Sequence, residues 1–310
     1  MNKVVIIGCG NVGMAYTYAL INQNTKVDEI VLIDINREKV LGEVMDLSHS
    51  LPYAPSNISI KAGDYSDCKD AKIVVISAGA NQDKNETRMD LINKNNSVIK
   101  SIVNSVVTSG FKGIFLVATN PVDIMTYLTR KYSNFPSTKV IGSGTILDTS
   151  RLKFFLSKRL QMNPNNIHVN VIGEHGDSGF VLWSKASAGT TSLENIVSTS
   201  DMNIIENEVR NSAYKIINYK GETSYGIGMC LAKITNSILS DDESVLTVSA
   251  PVEEIYIGIP SVINKDGIKG VMKMSLTREE NIKLENSKEV IRTAIKNLED
   301  WYLWWLILMI

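Results

Sequence analysis

Residues 3–13 read Lys-Val-Val-Ile-Ile-Gly-Cys-Gly-Asn-Val-Gly, an apolar run that leads directly into the pattern Gly-x-Gly-x-x-Gly. The β-branched run predicts a buried strand, and the glycines after it predict a sharp turn into a helix. Gly8 permits the turn, Gly10 lets backbone amides approach a pyrophosphate, and Gly13 allows the helix to pack closely on the strand. This stretch predicts a parallel α/β fold that binds a dinucleotide at its first turn.

The residues after this turn complete the dinucleotide signature. Asn11 and Val12 begin the predicted helix, whose free N–H groups and partial positive charge suit phosphate oxygens. Asp34 ends the second predicted strand about 20 residues after Gly13, where a carboxylate accepts hydrogen bonds from an adenine ribose. Because that carboxylate would repel a 2′-phosphate, the sequence favours NAD over NADP. The alternative is a glycine-rich turn beside a helix-capping aspartate.

The alternation of strands and helices continues to about residue 142. Amphipathic segments near 12–23, 37–48 and 89–109 separate short apolar runs of the kind found in strands buried on both faces. These predicted strands are residues 4–7, 30–33, 58–60, 73–76, 114–117 and 139–141. Their order predicts a Rossmann-type, doubly wound parallel sheet that binds ligands beyond the carboxyl ends of its strands. We therefore assign residues 1–142 to an NAD-binding domain.

A second domain of mixed α+β structure is predicted for residues 143–300, and we expect it to bind the substrate and carry the catalytic residues. Its predicted helices are near 147–160, 201–219 and 224–239, and its predicted strands are near 167–172, 244–249, 255–259 and 270–274. Thr277 and Glu280 form a capping box that predicts the start of a final helix.

The composition narrows the classes of function. The net charge of −1 over 310 residues gives no broad attraction to nucleic acid or to anionic membranes. The three cysteines are far apart and odd in number, so neither a disulfide framework nor a metal site is predicted. No signal peptide precedes the first strand, and we expect a cytoplasmic protein.

The last ten residues, 301–310, are all apolar and read Trp-Tyr-Leu-Trp-Trp-Leu-Ile-Leu-Met-Ile. A helix of that length spans about 15 Å, half of the hydrocarbon core of a bilayer, so a transmembrane anchor is not predicted. The tail would extend the preceding helix onto an oligomer interface, lie on a membrane surface, or be an altered C-terminus. Its origin stays open at this stage.

His175 is one of three histidines in the chain and stands in the run Gly-Glu-His-Gly-Asp at residues 173–177. Imidazole titrates near neutral pH, so a positioned histidine can accept a proton and later return it. An isolated histidine is more often one satisfied by its surroundings. A catalytic role therefore depends on which other residues accompany it.

Asp148 and Arg151 are the candidates to accompany His175. They lie three residues apart near the start of a predicted helix, so both face the same side. One interpretation is a surface ion pair. In the other, Asp148 holds His175 in one tautomer and stabilises its cation, while Arg151 binds a substrate carboxylate through two parallel hydrogen bonds.

Two further segments follow predicted strands, at the edge where such a sheet meets its ligand. Asn120 comes after the strand at 114–117, and its amide would contact the nicotinamide or the substrate oxygen; the alternative is a plain Asn-Pro turn. The polar segment 80–88 is predicted to be a mobile loop. If it closes, Arg88 would polarise a substrate carbonyl and Gln82 would approach the variable end of the substrate.

Taken together, these motifs resemble the lactate/malate dehydrogenase family, and within it the bacterial L-lactate dehydrogenases. The resemblance extends from residue 3 to about residue 299. It rests on Gly8-Cys-Gly-Asn-Val-Gly13, Asp34-Ile-Asn36, Met45-Asp-Leu-Ser-His49, Asn120-Pro-Val-Asp123, Leu147-Asp-Thr-Ser-Arg151, Gly173-Glu-His-Gly-Asp-Ser178 and Lys220-Gly-Glu-Thr-Ser-Tyr-Gly-Ile-Gly228.

The resemblance implies a role for each candidate. His175 would be the proton donor and acceptor, Asp148 its partner, Arg151 the carboxylate clamp and Arg88 the catalytic arginine of the loop. It also implies NAD as the cofactor, a small 2-oxo or 2-hydroxy acid as the substrate, and a homo-oligomer, with a tetramer favoured.

The choice of acid depends mainly on the loop. Gln82 matches the glutamine typical of lactate enzymes, where malate enzymes carry an arginine, and Thr223 also matches the lactate pattern. A second substrate carboxylate left unpaired under a closed loop would carry a large desolvation cost. We therefore expect reversible reduction of pyruvate to L-lactate with NADH, as in glycolysis and fermentation.

Three alternatives remain. Lactate-type loops usually read Lys-Pro-Gly where this chain has Asp83-Lys84-Asn85, so a broader L-2-hydroxyacid dehydrogenase that acts on bulkier acids, such as 2-hydroxyisocaproate, comes next. A malate dehydrogenase follows. The last is a non-catalytic NAD-binding sensor, which would bind the cofactor and turn over no 2-oxoacid.

A regulatory site is implied by His168. In sugar-phosphate-activated bacterial lactate dehydrogenases, a histidine at this position and an arginine near the position of Lys153 bind fructose 1,6-bisphosphate between subunits. Lysine can still bind phosphate, although without the bidentate fork of arginine. The resemblance thus implies allosteric activation, and the alternative is a strand histidine satisfied by local hydrogen bonds.

Overall fold

The opening apolar run forms an inner strand of a large twisted sheet. The computed structural model describes residues 1–80 and 88–308, with side chains described for all of these except residue 88 and residues 299–308. Within that part of the chain, nine strands form one sheet. Every residue of the first strand is buried, as expected for a strand covered by helices on both faces.

The first half of the chain builds the parallel part of this sheet. Its strands are β1 (Lys3–Ile7), β2 (Glu29–Ile33), β3 (Ser59–Ala62), β4 (Ile73–Ile76), β5 (Ile114–Val117) and β6 (Val140–Gly142). Its helices are α1 (Asn11–Ile21), α2 (Arg37–Ser50), α3 (Arg88–Thr108) and α4 (Val122–Ser133). The prediction of a Rossmann-type parallel sheet is confirmed, with each predicted strand found within one or two residues of its expected place.

The strand order decides where a ligand can bind. The parallel strands are arranged as β6-β5-β4-β1-β2-β3, so the chain leaves β1 first toward one edge of the sheet and later toward the other. A crevice opens at such a switch point, beyond the carboxyl ends of the strands. The glycine turn after β1 lies in that position.

The second half of the chain adds smaller sheets, long helices and an antiparallel extension of the main sheet. Its elements are α5 (Ile146–Leu160), β7 (Ile167–His168), β8 (Val171–Ile172), β9 (Phe180–Val181), β10 (Ser187–Ala188), β11 (Thr191–Ser192), α6 (Thr199–Lys220), α7 (Tyr225–Ser240), β12 (Ser244–Val252), β13 (Ile255–Asn264), β14 (Gly267–Val271) and α8 (Arg278–Leu308). β12 joins the parallel strands through one pairing, Ser249 with Gly142. The main sheet therefore continues across residue 142.

Several details differ from the sequence prediction, among them the short strands β9, β10 and β11, which were not predicted. α4 was not anticipated, because its buried residues include the polar side chains of Asp123, Thr126 and Thr129. The strand predicted at 167–172 is two strands, since β7 pairs with β10 whereas β8 pairs with β9. β14 begins three residues earlier than predicted, at Gly267, whose φ is 109°.

The final helix is anchored as predicted. Its capping box is present, because the backbone N–H of Glu280 donates to Thr277 Oγ1 (3.2 Å) and the backbone N–H of Thr277 donates to Glu280 Oε2 (2.9 Å). The apolar side chains of this helix are buried at Leu284, Ile291, Ile295 and Leu298. Along the described residues, no helix is both long enough and apolar enough to cross a membrane.

Candidate active site

The glycine turn after β1 has the shape of a phosphate cradle. Gly8 has a φ of 105°, and a Cβ there would lie 2.4 Å from the backbone nitrogen of Ala78. A Cβ on Gly13 would lie 2.1 Å from the carbonyl oxygen of Gly8, so this position also requires glycine. Gly10 is exposed, and nothing lies within 4 Å of where its Cβ would be. The turn therefore leaves open space in front of the amino end of α1.

The start of α1 has donors available for an anion. Its N-cap, Gly10, offers no side chain to the first N–H groups, and no acidic residue lies in the first turn. Asn11 is exposed and Val12 is half-buried at the mouth of the turn. Free N–H groups at a helix N-terminus bind phosphate oxygens, so these residues fit a pyrophosphate.

Asp34 is fixed at the end of β2 by the turn itself. Its Oδ2 accepts a hydrogen bond from the backbone N–H of Cys9 (2.7 Å), and its Oδ1 accepts one from the backbone N–H of Asn36 (3.0 Å). Each carboxylate oxygen has a second lone pair, which suits the hydroxyl groups of a ribose. The free N–H groups at the start of α1, the open space in front of them and the carboxylate of Asp34 together fit a dinucleotide without a 2′-phosphate.

Asp148, Arg151 and His175 come together although the sequence separates them. α5 carries Asp148 in its first turn and Arg151 one turn later, and His175 stands in the loop after β8. Asp148 Oδ2 is 2.7 Å from His175 Nδ1, and Asp148 Oδ1 accepts a hydrogen bond of 3.0 Å from Arg151 Nη1. Because Asp148 contacts both cations, its carboxylate links the histidine to the arginine.

The electrostatics of this cluster favour a protonated histidine. Burial alone would lower the pKa of His175, but the charge of Asp148 and the hydrogen bond to it raise that pKa above its ordinary value. Burial alone would raise the pKa of Asp148, and the charges and hydrogen bonds of His175 and Arg151 lower it instead. The arrangement therefore stabilises an imidazolium beside a carboxylate.

The cluster lines a cavity of about 430 Å³. The cavity contains Asp148, Arg151 and His175 in its wall, and Asn120 lies at its edge after β5. The remaining lining residues are Leu91, Pro121, Val171, Glu174, Gly176, Asp177, Gly179, Phe180, Val181, Glu206, Val209, Arg210, Ala213, Tyr214 and Ile217. One wall is thus polar and carries titratable groups, and the face of α6 contributes both apolar and charged side chains.

The other predicted substrate residues either do not line the cavity or lie outside the described residues. Thr223 lies half-buried between α6 and α7 and is not among the described residues that line the cavity. Its neighbour Glu222 is hydrogen bonded to the side chain of Asn11, which brings this segment beside the glycine turn. Gln82 lies outside the described residues. Arg88 begins α3, and its side chain is likewise outside them.

The two residues of the implied regulatory site lie in neighbouring elements. Lys153 is half-buried on α5, and His168 is exposed on β7, which packs against α5. Burial lowers the pKa of Lys153 below its ordinary value. A buried ammonium gains from a bound anion, because the anion offsets the cost of desolvation.

Sequence reasoning missed several residues of this site. Glu206, Arg210 and Tyr214 on α6 line the cavity, and their spacing of four residues places them on one helix face. That spacing was readable in advance, but nothing in the sequence said which helix would face the cavity. Asp123 was also missed, although it ends the quoted run Asn120-Pro-Val-Asp123.

Comparison with known proteins gives a consistent result. Residues 2–142 match the model of the family described as lactate/malate dehydrogenase, NAD binding domain. Residues 145–301 match the model described as lactate/malate dehydrogenase, alpha/beta C-terminal domain. These two matches cover nearly the whole chain up to the apolar tail.

Similar individual proteins extend along the same length. The L-lactate dehydrogenase of Geobacillus sp. (strain WCH70) is 48% identical over 313 residues, which cover 97% of this chain and 98% of that protein. A solved lactate dehydrogenase enzyme from a Medee basin deep-sea metagenome library is 44% identical with a TM-score of 0.94, covering 96% of this chain and 99% of the other. The minor L-lactate dehydrogenase of Enterococcus mundtii in its ligands-bound form is 38% identical with a TM-score of 0.93, covering 96% and 98%.

Proposed function

The chain belongs to the lactate/malate dehydrogenase family, and from that premise we propose that it catalyses the reversible reduction of pyruvate to L-lactate with NADH. The observation that carries the proposal is the contact of 2.7 Å between His175 Nδ1 and Asp148 Oδ2, in a cavity that Arg151 also lines. This cluster combines a proton donor, a group that orients it and a cation for a carboxylate. Those are the groups that reduction of a 2-oxoacid requires from the protein.

Arg151 would bind and orient the substrate. One guanidinium nitrogen is held by Asp148 at 3.0 Å, which fixes the plane of the side chain. The guanidinium carries five N–H donors, so it has others to pair with both oxygens of a pyruvate carboxylate. Such a pairing would hold the keto carbon in one position relative to His175 and Asn120.

His175 would move the proton. Its Nδ1–H donates to Asp148, which leaves Nε2 as the nitrogen directed at substrate. NADH, when bound, supplies the hydride that adds to C2 of pyruvate. His175 Nε2–H donates its proton to the ketone oxygen and becomes neutral, and in the reverse direction Nε2 accepts the proton of the lactate hydroxyl. Asp148 keeps the imidazole in the required tautomer in both directions.

Roles for the loop residues remain part of the proposal. α3 begins at Arg88, and Leu91, one turn later, lines the cavity, so the start of this helix reaches the substrate region. Arg88 would polarise the ketone when the loop closes, and Gln82 would contact the methyl group. Thr223 would approach the substrate from the segment between α6 and α7.

A broader L-2-hydroxyacid dehydrogenase is the second candidate, because of the cavity itself. Its volume of about 430 Å³ falls in the range of pockets that hold ligands much larger than pyruvate. The part of the cavity formed by Val181, Val209, Ala213 and Ile217 is apolar and suits a branched side chain.

A substrate panel separates these candidates. NADH oxidation is measured with pyruvate, oxaloacetate and 2-oxoisocaproate, each with and without fructose 1,6-bisphosphate. The proposal expects the highest kcat/KM with pyruvate. A higher value with 2-oxoisocaproate would favour the broader enzyme. A clearly higher value with oxaloacetate would contradict the inference that Gln82 indicates a lactate rather than a malate dehydrogenase.

We further propose a homo-oligomer, with a tetramer favoured, activated by fructose 1,6-bisphosphate. Large exposed apolar side chains lie on α1, α2 and α7, whose buried faces share one core cluster: Tyr18, Leu41, Met45, Tyr225 and Met229. Exposed apolar surface of this kind is typical of subunit interfaces. Light scattering gives the subunit number, and a loss of activation in K153A and H168A would support the regulatory site.

The cellular setting follows from the same activity. We propose a cytoplasmic role in glycolysis or fermentation, because reduction of pyruvate regenerates NAD. The three cysteines are buried and unpaired, which suits a reducing compartment. Cell fractionation with an antibody to the protein tests this placement.

A further inference from the structure

The backbone of the proposed catalytic histidine and of the two residues before it is bound to three different elements. The backbone N–H of Gly173 donates to the carbonyl of Gly258 on β13 at 2.9 Å. The next N–H, of Glu174, donates to Ser287 Oγ on α8 at 2.6 Å. The third, of His175, donates to Asp123 Oδ2 on α4 at 2.8 Å. Of these three acceptors, only Asp123 is an acid.

Asp123 is unusual for a helix residue because its carboxylate is almost completely buried. Its exposed fraction is 2%, and its second oxygen, Oδ1, accepts a hydrogen bond of 2.6 Å from Ser249 Oγ on β12. Burying a carboxylate is costly unless donors compensate for the lost water. The N–H of His175 and the hydroxyl of Ser249 each donate to one of its oxygens, so the carboxylate joins the loop of His175 to β12.

We propose that Asp123 is a positioning residue that fixes the backbone of His175 and stabilises its imidazolium through a second, buried negative charge. The inference rests on the proposed function, since it concerns the proton that His175 would transfer. Asp148 acts on the imidazole through Nδ1, whereas Asp123 acts from the backbone side. The histidine is therefore held between two carboxylates on different helices, α4 and α5.

The surrounding charges are consistent with this arrangement. From α5, Asp148 favours the imidazolium and Arg151 opposes it, and Asp123 on α4 adds to the effect of Asp148. Glu174 and Asp177 in the same loop, and Glu206 and Arg210 on α6, line the same cavity. From α3, the side chain of Arg88 lies outside the described residues. Within the part of the chain that is described, the carboxylates in contact with His175 come from α4 and α5.

Asp123→Asn separates the charge from the shape. The amide oxygen of the variant can accept from the N–H of His175, and the hydroxyl of Ser249 can rotate to accept from the amide nitrogen. The anchor is thereby kept while the negative charge is removed. Thr126→Val is the matched control, because Thr126 is buried on α4 one turn further along and donates only to the carbonyl of Val122.

The first readout is the titration of His175 followed by NMR of the histidine side chains. The chain has three histidines, and a His175→Gln spectrum assigns the signal. The inference expects the pKa of His175 to be lower in D123N than in the wild type and unchanged in T126V. Equal pKa values in D123N and the wild type would overturn it.

The second readout is the pH profile of kcat for pyruvate reduction. Between about pH 6 and pH 8.5, D123N is expected to lose at least about threefold more activity than the wild type, with unchanged affinity for NADH. A purely structural role would lower kcat equally at every pH, which would contradict the inference. If the wild type reduces no 2-oxoacid, the proposed function fails, while the NMR titration still decides the role of Asp123.

Ser249→Ala decides the question if D123N does not fold. It leaves the carboxylate charged but removes the hydrogen bond that orients it. A positioning role predicts a kcat about threefold to tenfold lower with unchanged NADH affinity. An unchanged kcat in S249A would show that the orientation of Asp123 has no effect on His175 and would overturn the proposal.

Discussion

Replacing Asp148 with asparagine should disable the proposed proton transfer while leaving cofactor binding intact. Asp148 accepts from His175 through Oδ2 (2.7 Å) and from Arg151 through Oδ1 (3.0 Å), so both oxygens are acceptors. An asparagine has one acceptor oxygen and one donor nitrogen. If the oxygen faces His175, the amide N–H groups face Arg151, which can only donate. If it faces Arg151, they face Nδ1 and favour the wrong tautomer of His175.

The size of the effect can be worked out from the geometry. Unit charges about 4 Å apart at an effective dielectric constant of about 20 interact by about 4 kcal/mol. The side chains of His175 and Asp148 are only 26% and 16% exposed, so solvent screens this attraction in part. Since about 1.4 kcal/mol corresponds to a factor of ten, loss of the attraction lowers kcat/KM for pyruvate by about a hundredfold to a thousandfold near neutral pH.

The pH dependence has a definite sign. The pKa of His175 is raised by Asp148, so the protonated form needed for reduction persists above the ordinary pKa of histidine and is lost as pH rises through the raised value. In D148N the alkaline-side limb of the pH profile for pyruvate reduction should move to lower pH. Lactate oxidation needs neutral His175, so the acid-side limb of its pH profile should also move to lower pH.

The assay is steady-state kinetics across pH in both directions, with NADH affinity measured by fluorescence. Asp201→Asn is the matched control, because Asp201 pairs with Arg159 at 2.7 Å on the same domain but does not line the cavity. D201N should behave as the wild type. A D148N enzyme that keeps kcat/KM within about threefold and shows the same pH profile would refute the reasoning.

Three further changes test other parts of the account. Arg151→Lys loses the planar fork and should lower kcat/KM for pyruvate by about tenfold to a hundredfold with NADH affinity unchanged; an equal kcat/KM would contradict the carboxylate clamp. Asp34→Asn removes the charge that repels a 2′-phosphate and should raise the ratio of NADPH to NADH affinity by about tenfold, and an unchanged ratio would argue against this role. The hydroxyl of Ser237 donates to Asp242, whose pKa burial would raise but hydrogen bonds lower to about 2. This stabilisation is present above pH 3.8 and is lost as pH falls toward 2, so Ser237→Ala should unfold at higher pH than the wild type in an acid titration followed by circular dichroism; coincident curves would contradict it.

The parallel sheet was predictable because its strands are buried on both faces. Runs such as residues 73–76 and 114–117 are continuously apolar, and they are strands with these bounds. α4 was not predictable by the same reasoning. Its buried face includes Asp123, Thr126 and Thr129, whose polar groups are satisfied only by tertiary contacts and by the helix backbone.

Short strands depend on partners that the local pattern does not reveal. Ile167, Val169 and Val171 alternate with polar residues and predict one continuous strand. In the fold, β7 and β8 belong to different small sheets, because each pairs with a different later segment. Local alternation records which side chains are buried, and it contains no information on which strand becomes the neighbour.

The candidate site was likewise predictable where residues share one element and not where distant segments meet. Asp148 and Arg151 share one helix, so their common face followed from spacing alone. Their meeting with His175 was an interpretation based on residue types and resemblance, since 27 residues separate His175 from Asp148. The contact of Asp123 with His175, across 52 residues, had no local signal beyond its place in the run after Asn120.

The central claim is that His175 transfers the proton in a hydride-transfer reaction at a 2-oxoacid. The most direct measurement compares the kcat of pyruvate reduction and the Kd of NADH for the wild type and His175→Ala. A general acid contributes about a hundredfold to ten-thousandfold, so kcat should fall by that range while the Kd of NADH stays within about threefold. A His175→Ala enzyme that turns over pyruvate at the wild-type rate would contradict the account.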